Sequence, residues 1–104
     1  MKVLLCCYGG LSTGIMKKKI EDEAAKDGVN DLEIKAVAIA EAMDNPENYD
    51  VYLLGPQVRY AVDDFKKVAG NKPVIVISPA DFGMMRADVV WKQIKKELNL
   101  TIKN

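Results

Sequence analysis

The sequence predicts an α/β three-layer sandwich built on a four-stranded parallel sheet in spatial order 2-1-3-4. Three observations carry that expectation. Strand-like and helix-like segments alternate along all 104 residues, as βαβ units with right-handed crossovers require. Two apolar runs, Val3–Cys6 and Val51–Gly55, are continuous and read as central strands covered on both faces. A third segment sets Leu32, Ile34 and Ala36 against Glu33 and Lys35, the alternation of a half-exposed edge strand. With that strand at the edge, the direction of winding reverses between strands 1 and 3.

Taken in order, Lys2–Cys7 forms the first strand. A helix follows from Thr13 to about Lys26, burying Met16, Ile20 and Ala24 at four-residue spacing, with Lys17, Lys18 and Lys19 on its wet side. Gly28 stands where helices commonly end in a left-handed residue. The edge strand occupies Leu32–Ile39, and a single short turn spans Ala40–Asp44 before Asn45-Pro46 breaks it. After Val51–Gly55, Pro56 opens a helix at its favoured first position. Its buried stripe is Val58, Ala61, Val62, Phe65, Val68 and Ala69, and Gly70-Asn71 closes it. Val74–Ile77 is the fourth strand, and 78–83 reads as loop. The last helix, Met84–Leu98, buries Ala87, Val90, Trp91, Ile94 and Leu98. Thr101–Asn104 is a loose tail. No repeat, linker or low-complexity tract divides the chain, so residues 1–104 are expected to form one domain.

Composition narrows the function. Fifteen basic and fifteen acidic residues cancel, which argues against nucleic-acid binding driven by counterion release. The absence of histidine excludes a Ser-His-Asp or Cys-His pair and a histidine metal site within this chain. Two adjacent cysteines can make neither a structural staple nor a four-ligand metal site, and thiols imply a reducing compartment. No metal and no cofactor is expected. No apolar stretch is long enough to span a membrane, and Met1-Lys2 leads into a strand with no signal-peptide pattern. The expected location is the cytoplasm.

Chemistry concentrates at Cys7-Tyr8-Gly9-Gly10-Leu11-Ser12-Thr13, which follows the first apolar run directly. The glycine pair lets successive N–H groups turn toward one point. Ser12 is expected to cap the helix, whose unsatisfied N–H groups and positive dipole end add to the same point. A thiol in such surroundings is drawn toward the thiolate. The loop thus pairs a nucleophile with an anion cradle, and a phosphoryl group is the expected guest. Cys6, on the opposite side of the strand, reads as a small buried hydrophobe.

Two chemistries use a thiolate placed this way. Cysteine-dependent phosphatases need an arginine six residues after the cysteine to clamp the phosphate, and here that position is Thr13. A reversible carrier needs milder stabilisation, which backbone amides with Ser12 and Thr13 hydroxyls supply. A third reading leaves Cys7 packed and the loop a non-catalytic anion sensor. Elsewhere, Asp81 reads as a loop or helix-start carboxylate, Arg59 as part of a solvated face, and Trp91 as core. Phe82, Met84 and Met85 read equally as a docking patch or as helix-start core.

The seven-residue loop resembles the C-x-x-G-x-S-T loop of the IIB components of the lactose/cellobiose class of the bacterial sugar phosphotransferase system. Asp50-Val51-Tyr52-Leu53-Leu54-Gly55-Pro56-Gln57-Val58-Arg59-Tyr60 is similar to that family's third strand and the start of its next helix. Asn71-Lys72-Pro73-Val74-Ile75-Val76-Ile77 and Asp81-Phe82-Gly83-Met84-Met85 fall where its last strand and site-facing loop belong. The chain departs from the family pattern at Gly14, Phe82 and Arg86-Ala87. The resemblance implies a fold like that of low-molecular-weight tyrosine phosphatases. It implies that Cys7 is the phosphocysteine, with Tyr8, Gly9, Gly10, Leu11, Ser12, Thr13 and Gly14 lining the phosphate loop. The implied partners are a IIA protein, whose phosphohistidine is the donor, and the membrane IIC permease holding the sugar acceptor, a β-disaccharide such as cellobiose. The protein would dock at the inner face of the membrane.

Overall fold

The computed structural model describes residues 1–7, 11–44 and 49–98. Four strands, β1 (Lys2–Cys7), β2 (Glu33–Ala38), β3 (Val51–Leu54) and β4 (Val74–Val76), pair in parallel in the order β2-β1-β3-β4. This is the expected order. β1 aligns Val3 with Val51 and Cys6 with Leu54 on one side, and Lys2 with Glu33 through Cys7 with Ala38 on the other. β4 extends the sheet by aligning Leu54 with Val76.

Side chains alternate along each central strand, so each feeds two cores. Val3, Leu5, Val51 and Leu53 pack beneath the helices α1 (Leu11–Lys26) and α5 (Ala87–Glu97). Leu4, Cys6, Tyr52 and Leu54 pack on the other side with Ala42 of α2 (Ile39–Asp44) and Phe65 and Ala69 of α3 (Val62–Ala69). Tyr52 meets Phe65 edge-on at 5.1 Å, a geometry that aromatic quadrupoles favour. β2 differs from its expectation of one wet face. It buries Ile34 into the first core and Val37 into the second, while Glu33 and Lys35 stay exposed, because helices cover even this edge strand on both sides.

Several helix boundaries differ from the sequence reading, each for a local reason. α1 begins at Leu11 rather than Thr13, so Ser12 is its second residue and not the residue before it. Pro56 opens a 3₁₀ segment, Pro56–Ala61, with Val58 at φ −118°, before α3 begins. A 3₁₀ turn holds three residues instead of 3.6, which changes the phase of the stripe. Val58, Ala61, Phe65 and Ala69 remain buried, but Val62 is half-buried and Val68 is 41% exposed. Residues 78–83, expected as loop, contain α4 (Pro79–Gly83). Ser78 caps it by accepting from the Asp81 N–H at 3.1 Å, and Pro79 takes the first position. Met85, at φ 51°, then reverses the chain, so the last helix starts at Ala87 instead of Met84. Leu98 is half-buried at its end. The Asn45-Pro46 break and the tail Thr101–Asn104 lie outside the described residues.

α1 ends as expected at Gly28, at φ 82°. The Val29 N–H bonds to the Ala24 carbonyl and the Gly28 N–H to that of Ala25, at 2.9 and 3.0 Å, which is the Schellman arrangement. Asp27 lies in this closing turn, where the helix dipole disfavours a carboxylate. Two donors from α5 compensate. Lys95 Nζ and Trp91 Nε1 each lie 2.7 Å from Asp27 Oδ2. Trp91 is therefore core, as read, but also polar glue between the helices. No helix among the described residues is long and apolar enough to cross a membrane.

The Lys95 hydrogen bond, followed by that of Trp91, holds the Asp27 carboxyl below the usual carboxylate range. A depressed native value contributes stability above the unfolded value, about 4, and that contribution is lost as the pH falls through the native value. Asp27→Asn is accordingly expected to lower the thermal midpoint at neutral pH, with the gap to the parent protein closing below about pH 4. Melting curves of both proteins across that range check it, and a gap of constant size would remove Asp27 as its cause.

Candidate active site

Cys7 is the last residue of β1, one step beyond the last β1–β3 pair, Cys6 with Leu54. Here the two strands part. β1 continues into α1 over one face of the sheet, and β3 continues into α3 over the other. Such a switch point leaves a crevice at the carboxyl edge of a parallel sheet, where ligands of this architecture bind. Cys7 therefore stands at that crevice.

The two cysteines occupy different environments. Cys6 is fully buried in the second core. Burial, with a smaller contribution from the neighbouring Cys7, pushes its thiol up to about 12. It is a hydrophobe in chemical effect, as the sequence implied. Cys7 faces the α1 side. Its Sγ lies 2.6 Å from Oγ1 of Thr13, itself only 3% exposed and the only buried polar or charged side chain among the described residues. The first turn of α1 is thus anchored directly to the sulfur. A hydroxyl can donate to a thiolate or accept from a thiol, so Thr13 can accompany Cys7 through either protonation state.

The other proposed loop residues are placed unevenly. Tyr8, Gly9 and Gly10 lie outside the described residues. Leu11 and Ser12 form the start of α1, where the first four backbone N–H groups have no acceptor within the helix. Gly14 sits in the same opening stretch of α1, exposed, and a Cβ added there would meet nothing within 4 Å.

Of the remaining candidates, Asp81 lies in the first turn of α4 and faces Arg86 at 3.7 Å, so it serves the turn between α4 and α5. Arg59 is exposed on the 3₁₀ segment. Phe82 and Met85 pack on the first core, whereas Met84 is 66% exposed. The core reading therefore holds for Phe82 and Met85 and not for Met84. Lys18 pairs with Asp22 at 3.6 Å along the exposed face of α1.

One neighbour of Cys7 escaped the residue-level reading. Gly55 follows β3 as Cys7 ends β1, and its N–H bonds to the Cys6 carbonyl at 2.9 Å. A Cβ at residue 55 would stand 3.4 Å from Cβ of Cys7 and 2.8 Å from Oε1 of Gln57. A glycine directly after a central strand, at the carboxyl edge, was the available signal.

Comparison with known proteins agrees with this fold. The family described as "PTS system, Lactose/Cellobiose specific IIB subunit" matches residues 2–93. The galactose-specific EIIB component of Lactococcus lactis subsp. cremoris and the cellobiose-specific EIIB component of Lactococcus lactis subsp. lactis are each 35% identical. Each alignment covers 93% of this chain and 95% of the relative. The oligo-beta-mannoside-specific EIIB component of Bacillus subtilis is 31% identical over 88% of this chain and 90% of its own. Among solved structures, the cellobiose-specific IIB component of Borrelia burgdorferi superposes with a TM-score of 0.74 at 26% identity, covering all of this chain and 96% of that one. The lactose-specific IIB domain of Streptococcus pneumoniae has the same fold, with a TM-score of 0.76 at 19% identity over 93% of this chain and 96% of its own.

Two outcomes test these placements. Iodoacetamide treatment of the native protein at pH 8 should leave Cys6 unmodified in peptide mass spectra, with alkylation there only after denaturation; native labelling of Cys6 would contradict its burial. Gly14→Ala should stabilise the protein by roughly 0.5–1 kcal/mol in denaturant titrations, since the position is helical, open and costs only glycine's entropy. A loss of stability would show that the site is more confined than it looks.

Proposed function

The chain belongs to the lactose/cellobiose-specific IIB family of the sugar phosphotransferase system and is a phosphotransferase, and on that premise we propose that Cys7 is its phosphoryl carrier. The observation that supports this most is the position of Cys7 at the β1–β3 switch point, with the Thr13 hydroxyl on its sulfur and the unsatisfied amides of α1 close by in sequence. Tyr8 to Gly14 form the cradle of the phosphoryl group. The chain contains no histidine, which fits a protein whose donor brings one.

In the first transfer, the Cys7 sulfur attacks phosphorus of a IIA phosphohistidine. The S–P bond forms as the N–P bond breaks, and the thiol proton ends on the imidazole nitrogen that the phosphoryl group leaves. In the second, the oxygen of a sugar hydroxyl held by the IIC permease attacks phosphorus, the O–P bond forms as the S–P bond breaks, and the hydroxyl proton passes to the sulfur, restoring the thiol. Both transition states spread charge over equatorial oxygens, which preorganised N–H donors stabilise without reorganising. With Thr13 standing six residues after Cys7, where a phosphatase would carry its clamping arginine, the cradle holds the group without trapping it.

The sugar is a β-disaccharide such as cellobiose. Three relatives of comparable identity are named for three different sugars, which agrees with selection by the permease. The working location is the cytoplasm, at the inner face of the membrane when docked.

Intact and peptide mass spectrometry after incubation with phosphoenolpyruvate, the general phosphotransferase proteins and a matching IIA tests the proposal. One phosphoryl group on Cys7, absent in Cys7→Ser, is the expected result. No adduct, with IIA shown to be phosphorylated, would overturn it, and release of phosphate from an aryl ester would then point to a small cysteine phosphatase.

A further inference from the structure

The carboxyl rim holds one more polar side chain, that of Gln57, which meets Gly55 beside Cys7. Gly55 has φ −64° and ψ 157°, extended backbone that any residue adopts. Glycine leaves there a space that the Gln57 carboxamide oxygen borders. A methyl group at residue 55 would stand 2.8 Å from Gln57 Oε1, closer than such carbons come to other atoms, and would touch Cβ of Cys7 at 3.4 Å. The position of that absent methyl group therefore borders both the Gln57 carboxamide and Cys7. Pro56 helps to hold that arrangement. Its restricted φ starts the 3₁₀ turn at once, and the Val58 N–H closes it onto the Gly55 carbonyl at 3.1 Å. Gln57 is exposed as a residue, yet its carboxamide oxygen folds back onto Gly55.

We propose that Gln57 is a phosphoryl-binding residue, its carboxamide donating an N–H to an oxygen of the group on Cys7 while Gly55 keeps the space it needs. The proposal rests on the reading that Cys7 carries the phosphoryl group. A carboxamide ends in an acceptor and a pair of donors, and rotation about its last bond exchanges them. It can therefore present its oxygen to the free thiol and its nitrogen to the phosphorylated one. As a neutral donor it binds more weakly than a guanidinium, which suits a group that must leave again. It also approaches from the β3 crossover, whereas Thr13 and the amides of α1 belong to the crossover after β1. The phosphoryl group is thereby held from both walls of the switch crevice.

The test uses the full chain and phosphorylated IIA, with Gln57→Leu and Gln57→Glu beside the parent, all shown to fold by circular dichroism and thermal melting. Loss of one charge-assisted hydrogen bond should shift the transfer equilibrium away from the phosphocysteine by about tenfold in Gln57→Leu. Gln57→Glu, which sets a carboxylate beside a phosphoryl dianion, should shift it further. In isolated phosphoprotein, freed of IIA, the ³¹P resonance should differ between the parent and Gln57→Leu, and the Gln57 side-chain amide protons should move on phosphorylation. Slowed transfer with an unmoved ³¹P resonance would assign Gln57 to partner docking and overturn the proposal. So would parent-like equilibria in both variants while the Cys7 adduct forms. An absent adduct on the parent protein would instead overturn the carrier reading itself, and this proposal with it.

Discussion

The structure depends above all on the pairing of β1 with β3. Four parallel pairs, Val3 with Val51 through Cys6 with Leu54, join the two halves of the sheet. Their connections leave toward opposite faces. Every other placement follows from that. The halves share two cores because both strands are buried on both sides, and their carboxyl ends must diverge into a crevice. A residue one step past the last pair stands at the mouth of that crevice. Cys7 has that position, and Gly55 stands beside it from the other strand.

Adjacent cysteines on one strand show how strongly local placement governs chemistry. The pleat sends Cys6 into a wholly apolar core, where a thiolate would be unsolvated and the thiol is pushed up to about 12. The next residue turns toward the start of α1 and a buried threonine hydroxyl. The same functional group is inert at one position and accompanied by a hydrogen-bonding partner at the next. The sheet register accounts for the difference, because a slip by one residue would exchange the two.

α1 has to be held at both ends for the site to keep its shape. At its start, Thr13 meets the Cys7 sulfur. At its end, the Schellman closure at Gly28 and the paired donors Trp91 and Lys95 on Asp27 tie it to α5. α5 is in turn placed by the turn through Met85 and by Val90 and Ile94 in the first core. The helix whose first turn meets the Cys7 sulfur is therefore positioned by contacts at the far side of the fold.

The sequence by itself determined the strand order, both central strands and the helix end at Gly28, and it singled out Cys7 as the candidate nucleophile, because each is written in local chemistry: unbroken apolar runs, one alternating segment, and a glycine pair after a cysteine. The family was legible because that seven-residue loop stands at a fixed spacing from the run Leu53-Leu54-Gly55-Pro56-Gln57. Tertiary structure decided what depends on phase and proximity. A 3₁₀ turn after Pro56 displaced Val68 from the buried stripe, a left-handed Met85 moved the start of α5, and Ser78 with Pro79 began a helix too short to read by periodicity. Asp27 reads as an ordinary helix-end acid until a tryptophan 64 residues away bonds to it. Gly55 reads as a turn glycine, yet its backbone is ordinary, and a side chain there would meet the Gln57 carboxamide and a cysteine 48 residues earlier in the chain. Contacts at such separations leave no periodic trace, because they are set by which strands pair and not by which residues are neighbours.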